Sequence, residues 1–126
     1  MLTIDDAFTS FYENAWPILK EEEIPFILFV STEAVGNKGY MSWSQIKEVE
    51  KEKFAYIGNH SHSHDYLTKF TFQEFVEDIK KSIKIFNDKL GYNPSFFSYP
   101  FGEYNLEQKN YISKNFEFAF GQHSGV

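Results

Sequence analysis

The chain has 126 residues, 42% of them hydrophobic and 24% charged, a formal net charge of -6 and no cysteine. One domain of that length buries about two-thirds of its unfolded surface. The acidic balance excludes a nucleic-acid surface, the lack of thiols excludes thiolate zinc sites and disulfides, and no stretch reads as a signal peptide or membrane span.

Apolar runs alternate with helical periodicities, the pattern of a parallel sheet with helical crossovers. The first run, Leu2-Thr3-Ile4, ends in two adjacent acids, Asp5 and Asp6, and Ala7 opens a helical pattern. Aspartate at such a point serves as a helix N-cap. A pair at a strand tip can also divide the work of a metal hydrolase, one carboxylate holding the ion and the other taking a proton from water. Over residues 7–22, Phe8, Phe11, Ala15, Ile18 and Leu19 fall on one side, and Pro17 predicts a kink. Residues 24–30 are continuously apolar, as in a strand buried on both faces. After a loop with Gly36 and Gly39, Ser42 and Gln45 form a capping box, with Met41 and Ile46 as its hydrophobic staple.

Residues 54–58 predict a short buried strand, and the histidines begin where it ends. His60-Ser61-His62-Ser63-His64 holds three of the chain's 4 histidines. A helical turn puts His60 and His64 on one face, whereas an extended chain puts all three there. Either geometry lets at least two imidazoles converge on one ion, with His62 competing for a place. A solvated polar loop is the plain alternative, and it accounts poorly for the clustering.

The strongest helix is predicted over residues 72–90. Thr71 and Glu74 form a second capping box, Phe70 and Phe75 a staple, and Gly91 the stop. Phe72, Phe75, Val76, Ile79, Ile83, Phe86 and Leu90 advance in steps of three and four, a packing stripe rather than a cofactor site. Residues 96–102 read as an apolar strand closed by Pro100 and Gly102, a turn that fixes the backbone at Phe101 and could aim its amide at an oxyanion. A helix from about Asn105 to Asn115 and a strand over residues 116–120 complete the series. His123 reads as a polar loop residue, and the Lys and Glu runs as solvated helix faces.

Taken in order, three of these segments resemble the motifs of the metal-dependent polysaccharide deacetylases of carbohydrate esterase family 4. Thr3-Ile4-Asp5-Asp6 is similar to that family's Thr-Phe-Asp-Asp, Asn59-His60-Ser61-His62-Ser63-His64 to its His-(Ser/Thr)-x-x-His, and Tyr99-Pro100-Phe101-Gly102 to the end of its Arg-x-Pro-(Tyr/Phe). The Ser-Tyr-Pro-Phe-Gly form, followed by Glu103-Tyr104-Asn105, resembles the branch that deacetylates the poly-N-acetylglucosamine of biofilms. The resemblance covers essentially the whole chain. It implies an α/β fold, a distorted, incomplete (β/α) barrel with about five parallel strands; the alternation alone equally allows an open doubly wound sheet. It implies Asp5 as general base, Asp6, His60 and His64 as ligands of Zn2+ or another divalent transition metal, and the Phe101 amide as oxyanion donor. Tyr99, Pro100 and Tyr104 become the implied substrate contacts. The implied reaction hydrolyses N-acetyl groups, linear amide C–N bonds, on an N-acetylglucosamine-containing polysaccharide, and the implied location is extracytoplasmic.

The departures from the family are as specific. Ser98 stands where the family's third motif has an arginine that orients the base, and all 12 basic residues are lysines; the biofilm branch also lacks that arginine. The Leu-x-x-His segment that carries the family's general acid is absent, so a catalytically inactive fragment that binds metal or glycan is the alternative function. An iron oxygenase with two histidines and one carboxylate is a third reading, opposed by the second aspartate and by the motif order. A single domain over residues 1–126, expected to be truncated, would expose a sheet edge and part of a barrel interior, which predicts self-association. Aromatic residues make up 20% of the chain; most phenylalanines are expected to fill the core, while Tyr99, Phe101, Tyr104 and Trp43 are candidates to line a sugar groove.

Overall fold

The computed structural model describes residues 1–121, so His123 lies outside the described residues. Five strands form one sheet: β1 (Leu2–Asp5), β2 (Phe26–Val30), β3 (Ala55–Asn59), β4 (Phe96–Ser98) and β5 (Phe118–Phe120). All pairings are parallel and the strands lie in chain order. A doubly wound sheet reverses its order at a switch point, and no reversal occurs here. The sheet also curls. Phe29 of β2 and Phe120 of β5 meet with ring centroids 5.5 Å apart, although three flat strand spacings would separate their backbones by about 14 Å. The architecture is an incomplete (β/α) barrel of five parallel strands.

Among the described residues four α-helices cover the outside: α1 (Trp16–Glu22), α2 (Trp43–Glu50), α3 (Phe72–Leu90) and α4 (Leu106–Asn115). The capping boxes at Ser42 and Thr71 are formed, and Gly91 ends α3 at φ 85°. A third box, Asn105 with Gln108, starts α4. The first helical segment differs from the expected single kinked helix. A widened π turn over Phe11–Ala15 runs into α1, which has Pro17 in its first turn. Proline lacks the N–H that an α-turn needs and crowds the carbonyl four residues back, so the turn ahead of it takes up an extra residue. One extra residue rotates the following face by about 100°. Trp16 therefore joins Phe11 and Leu19 in the core, while Phe8 and Ile18 stay exposed.

The side chains of β2 alternate between two environments, as the strand period requires. Phe26, Leu28 and Val30 point to the helices, packing with Phe11, Trp16, Leu19, Ile46 and Val49. Ile27 and Phe29 face inward. There Gly58 is needed for space, because a Cβ at that position would overlap the Phe29 ring. Phe96 stacks on Phe118 and touches Phe120 and Tyr56 on the same inner face. A second outer cluster, including Phe75, Ile79, Phe97 and Ile112, fixes α3 and α4 against β4. Both clusters anchor the C-terminal strand tips from which the site is built.

Candidate metal centre

Asp6, His60 and His64 come together although the first two lie 54 positions apart in sequence. Asp6 follows the last residue of β1, and its amide still donates to the carbonyl of Phe29 at 3.0 Å. It then turns out of the sheet at φ 79°, followed by Ala7 at φ 50°. That left-handed pair separates two neighbouring acids that would alternate in a continuing strand. Asp6 reaches the histidines, whereas Asp5 lines an apolar trough with Ile4 and Phe8. Asp5 stays within electrostatic reach, since its charge raises the pKa of His64.

His60 follows directly on β3, and the next four residues form a tight loop with Ser61 at φ 71° and His64 at φ 57°. With Phe101 at φ 61°, five of the six non-glycine residues of positive φ among the described residues lie at this site. Each such conformation costs about 1–3 kcal/mol and needs surroundings that enforce it. The enforcing bonds are specific. Ser61 accepts from the His64 amide at 3.0 Å and donates its own amide to Asn59 Oδ1 at 2.8 Å. Ser31 donates to the His60 carbonyl at 2.9 Å.

The ligand atoms of the three residues lie within 4.8 Å of one another. Asp6 Oδ1 is 3.4 Å from His60 Nε2 and 2.9 Å from His64 Nε2. His60 is buried, and its Nδ1 lies 2.8 Å from the carbonyl oxygen of Ser98. A carbonyl only accepts, so Nδ1 carries the hydrogen and Nε2 is the nitrogen turned toward Asp6. His60 Nε2 and Asp6 Oδ1 then face each other, an arrangement that either a shared proton, as a hydrogen bond, or a metal cation between them satisfies. Hydrogen bonds to His60 and then His64 hold the Asp6 carboxyl well below the usual carboxylate range, against the opposing effect of burial. The bond to Asp6 raises the pKa of His64, with burial opposing it.

The third histidine of the loop is turned elsewhere. His62 Nδ1 lies 2.8 Å from Thr32 Oγ1, leaving Asp6, His60 and His64 as the converging set. Of the residues singled out for substrate contact, Pro100 and Tyr99 are buried, and Tyr104 lies tilted against Tyr99 at 4.6 Å. The Tyr99 hydroxyl is buried without a hydrogen-bond partner among the described residues, and burial raises its pKa to about 12. Trp43 packs edge-on against Phe86 of α3, 5.7 Å away. Phe101 is 41% exposed, with its ring edge-on to His64 at 5.1 Å. Tyr66 stacks on that ring at 3.9 Å, and it was not among the residues the sequence singled out. Its only sequence signal is an aromatic two residues after His64. On another side of the triad a polar cavity of about 350 Å3 is lined by Asp6, His64, Glu33, Asn37, Tyr40 and Ser63, among others.

Residues 1–119 match the family model for polysaccharide deacetylase. The chain is 29% identical to YxkH of Bacillus subtilis over 107 residues, 85% of this chain and 38% of that protein. It is 27% identical to the poly-beta-1,6-N-acetyl-D-glucosamine N-deacetylase of Staphylococcus epidermidis, across 90% of this chain and 44% of that protein. It therefore spans less than half the length of these curated relatives. Among solved structures, IcaB from Ammonifex degensii superposes with a TM-score of 0.85 at 28% identity, covering 96% of this chain and 58% of that one.

Proposed function

Because the chain belongs to the polysaccharide deacetylase family, we propose that it carries the metal centre of a hydrolase removing N-acetyl groups from an N-acetylglucosamine polysaccharide. The observation that carries this reading is the convergence of Asp6, His60 and His64 at the C-terminal tips of a parallel half-barrel. Two imidazoles and one carboxylate, from His60, His64 and Asp6, would hold a zinc ion. A divalent ion bound there supplies a Lewis acid that acidifies water and polarises an amide carbonyl.

The chain's own residues do the rest. Asp5, beside Asp6 but outside the triad, is the proposed acceptor of the water's proton. Phe101, held in a left-handed conformation, offers its amide to the carbonyl oxygen as that oxygen gains negative charge. The Ser98 carbonyl fixes the His60 tautomer. The named Staphylococcus epidermidis relative favours a β-1,6-linked N-acetylglucosamine polymer as substrate, and with it an extracytoplasmic location. Among the described residues no helix is long and apolar enough to cross a membrane.

Acetate release from β-1,6-linked N-acetylglucosamine oligomers in the presence of zinc, with β-1,4-linked oligomers alongside, tests the reading. Zinc-dependent release favouring the β-1,6 linkage supports it, and zinc binding without release of acetate from either set overturns the catalytic part. The latter result would favour the second reading, a fragment that binds metal or glycan without turnover. One observation supports that alternative: among the described residues, the histidine left over from the triad, His62, is bonded to Thr32 and has no evident role in protonating a leaving amine.

A further inference from the structure

The loop carrying His60 and His64 is held from outside by one helix. Asp78, on α3, accepts the His62 amide on Oδ2 at 3.0 Å and the Ser63 amide on Oδ1 at 3.1 Å. One helical turn later Ser82 accepts from Asn59 Nδ2 at 2.8 Å and donates to the Ile79 carbonyl at 2.7 Å. Asn59 in turn accepts the Ser61 amide. Residues four apart share a helix face, so Asp78 holds the His62 and Ser63 amides directly while Ser82 holds the Asn59 side chain that accepts the Ser61 amide. The loop needs such support, because Ser61 and His64 both take left-handed conformations that favour glycine.

We propose that Asp78 is a positioning residue for the metal centre, its carboxylate clamping the two amides before His64 so that the imidazole arrives beside Asp6. This rests on the metal-binding reading above. The residue type matters. Two amides point to one side chain, and an ionised carboxylate offers two acceptors and no donor. Asparagine has nearly the same shape but offers one acceptor, and its NH2 would face an N–H. Asp78→Asn thus removes the clamp with little change in volume.

The test compares wild type, Asp78→Asn and Glu77→Gln. Glu77 is exposed on the same helix and hydrogen-bonds to Gln73, so its substitution controls for lost charge. Zinc affinity is read by competition with a chromogenic chelator. The expected result is a loss of about 10–100-fold for Asp78→Asn, with Glu77→Gln close to wild type and similar thermal midpoints for all three metal-free proteins. At saturating cobalt(II), the visible bands of Asp78→Asn should differ in position or intensity from wild type, since a displaced imidazole changes the coordination geometry. Equal zinc affinities in wild type and folded Asp78→Asn, an equal loss in Glu77→Gln, or identical cobalt spectra would each overturn the proposal. Should Asp78→Asn not fold, hydrogen exchange of metal-free wild type decides: the His62 and Ser63 amides should be protected without metal, and exchange at the rate of free amides sinks the clamp. A wild type that binds no zinc would instead refute the metal-binding reading, and the amide measurement would still report on the clamp.

Discussion

Phe29 and Phe120 touch ring to ring while two strands, β3 and β4, lie between their own. The contact exists because the sheet curls, and the curl is what brings the tips of β1, β3 and β4 toward one point. Gly58 permits it by leaving the Phe29 ring its space on the inner face. Gly58→Ala should therefore destabilise the fold by about 1–3 kcal/mol through overpacking. In a Phe29→Ala background most of that penalty should vanish, because the ring that the new Cβ strikes is gone. Urea unfolding of the four proteins of this cycle measures the coupling, and strictly additive effects would place the strain elsewhere.

The triad and Asp5 are separable by substitution. Asp6→Asn and His64→Ala each remove a proposed ligand and should weaken zinc binding more than the loss of an outer-shell partner, that is, by over about 100-fold. Asp5→Asn should keep the metal and lower kcat by about 10²–10⁴-fold, the range of a lost general base. Zinc content after dialysis and the rate of acetate release distinguish the two classes. An Asp5→Asn protein that comes out metal-free would contradict this division of roles.

Sequence reasoning reached the features that local chemistry encodes. The capping boxes at Ser42 and Thr71 and the Gly91 stop are set by residues three or four apart, while the choice of Asp6, His60 and His64 comes from the resemblance of their motifs to the family's, the residues alone leaving Asp5 and His62 open. What stayed hidden depends on tertiary context. The left-handed backbone at Asp6, Ser61, His64 and Phe101 is written in no glycine, so pattern gave no sign of it. Asp78 carries no local signal, because its partners lie 16 and 15 residues upstream. The π turn before Pro17 resolved a conflict between proline and helix that a kink would also have resolved, and only packing shows which was adopted.

Tyr99 gives a test that does not involve the metal. Its hydroxyl is buried without a hydrogen-bond partner among the described residues, so Tyr99→Phe should stabilise the protein by about 1 kcal/mol. The pH dependence follows from the proton count. An unfolded tyrosine ionises near about pH 10, whereas folded Tyr99 keeps its proton up to about 12. Between those values the native state binds more protons than the unfolded one, so unfolding free energy falls as pH rises, and the contribution is whole only below the unfolded pKa. Denaturant midpoints across that window should drop less steeply in Tyr99→Phe than in wild type. Parallel slopes would show that the buried hydroxyl is not the cause.

The two open margins of the sheet predict how the chain behaves at high concentration. Beside β1 lies an apolar trough lined by Leu2, Ile4, Phe8, Phe11, Ile18 and Leu19, among others, and at the other margin Phe118 of β5 is 54% exposed. Among the described residues β1 pairs only with β2 and β5 only with β4, so β1 of one copy can extend the parallel ladder from β5 of another. The net charge of -6 opposes that approach. Added salt screens the repulsion without weakening apolar contact, so association in sedimentation velocity should increase with ionic strength. Phe118→Lys and Leu2→Lys place a charge at either margin and should each reduce it. A sedimentation coefficient that stays monomeric with rising protein and salt concentration would mean that these margins do not pair.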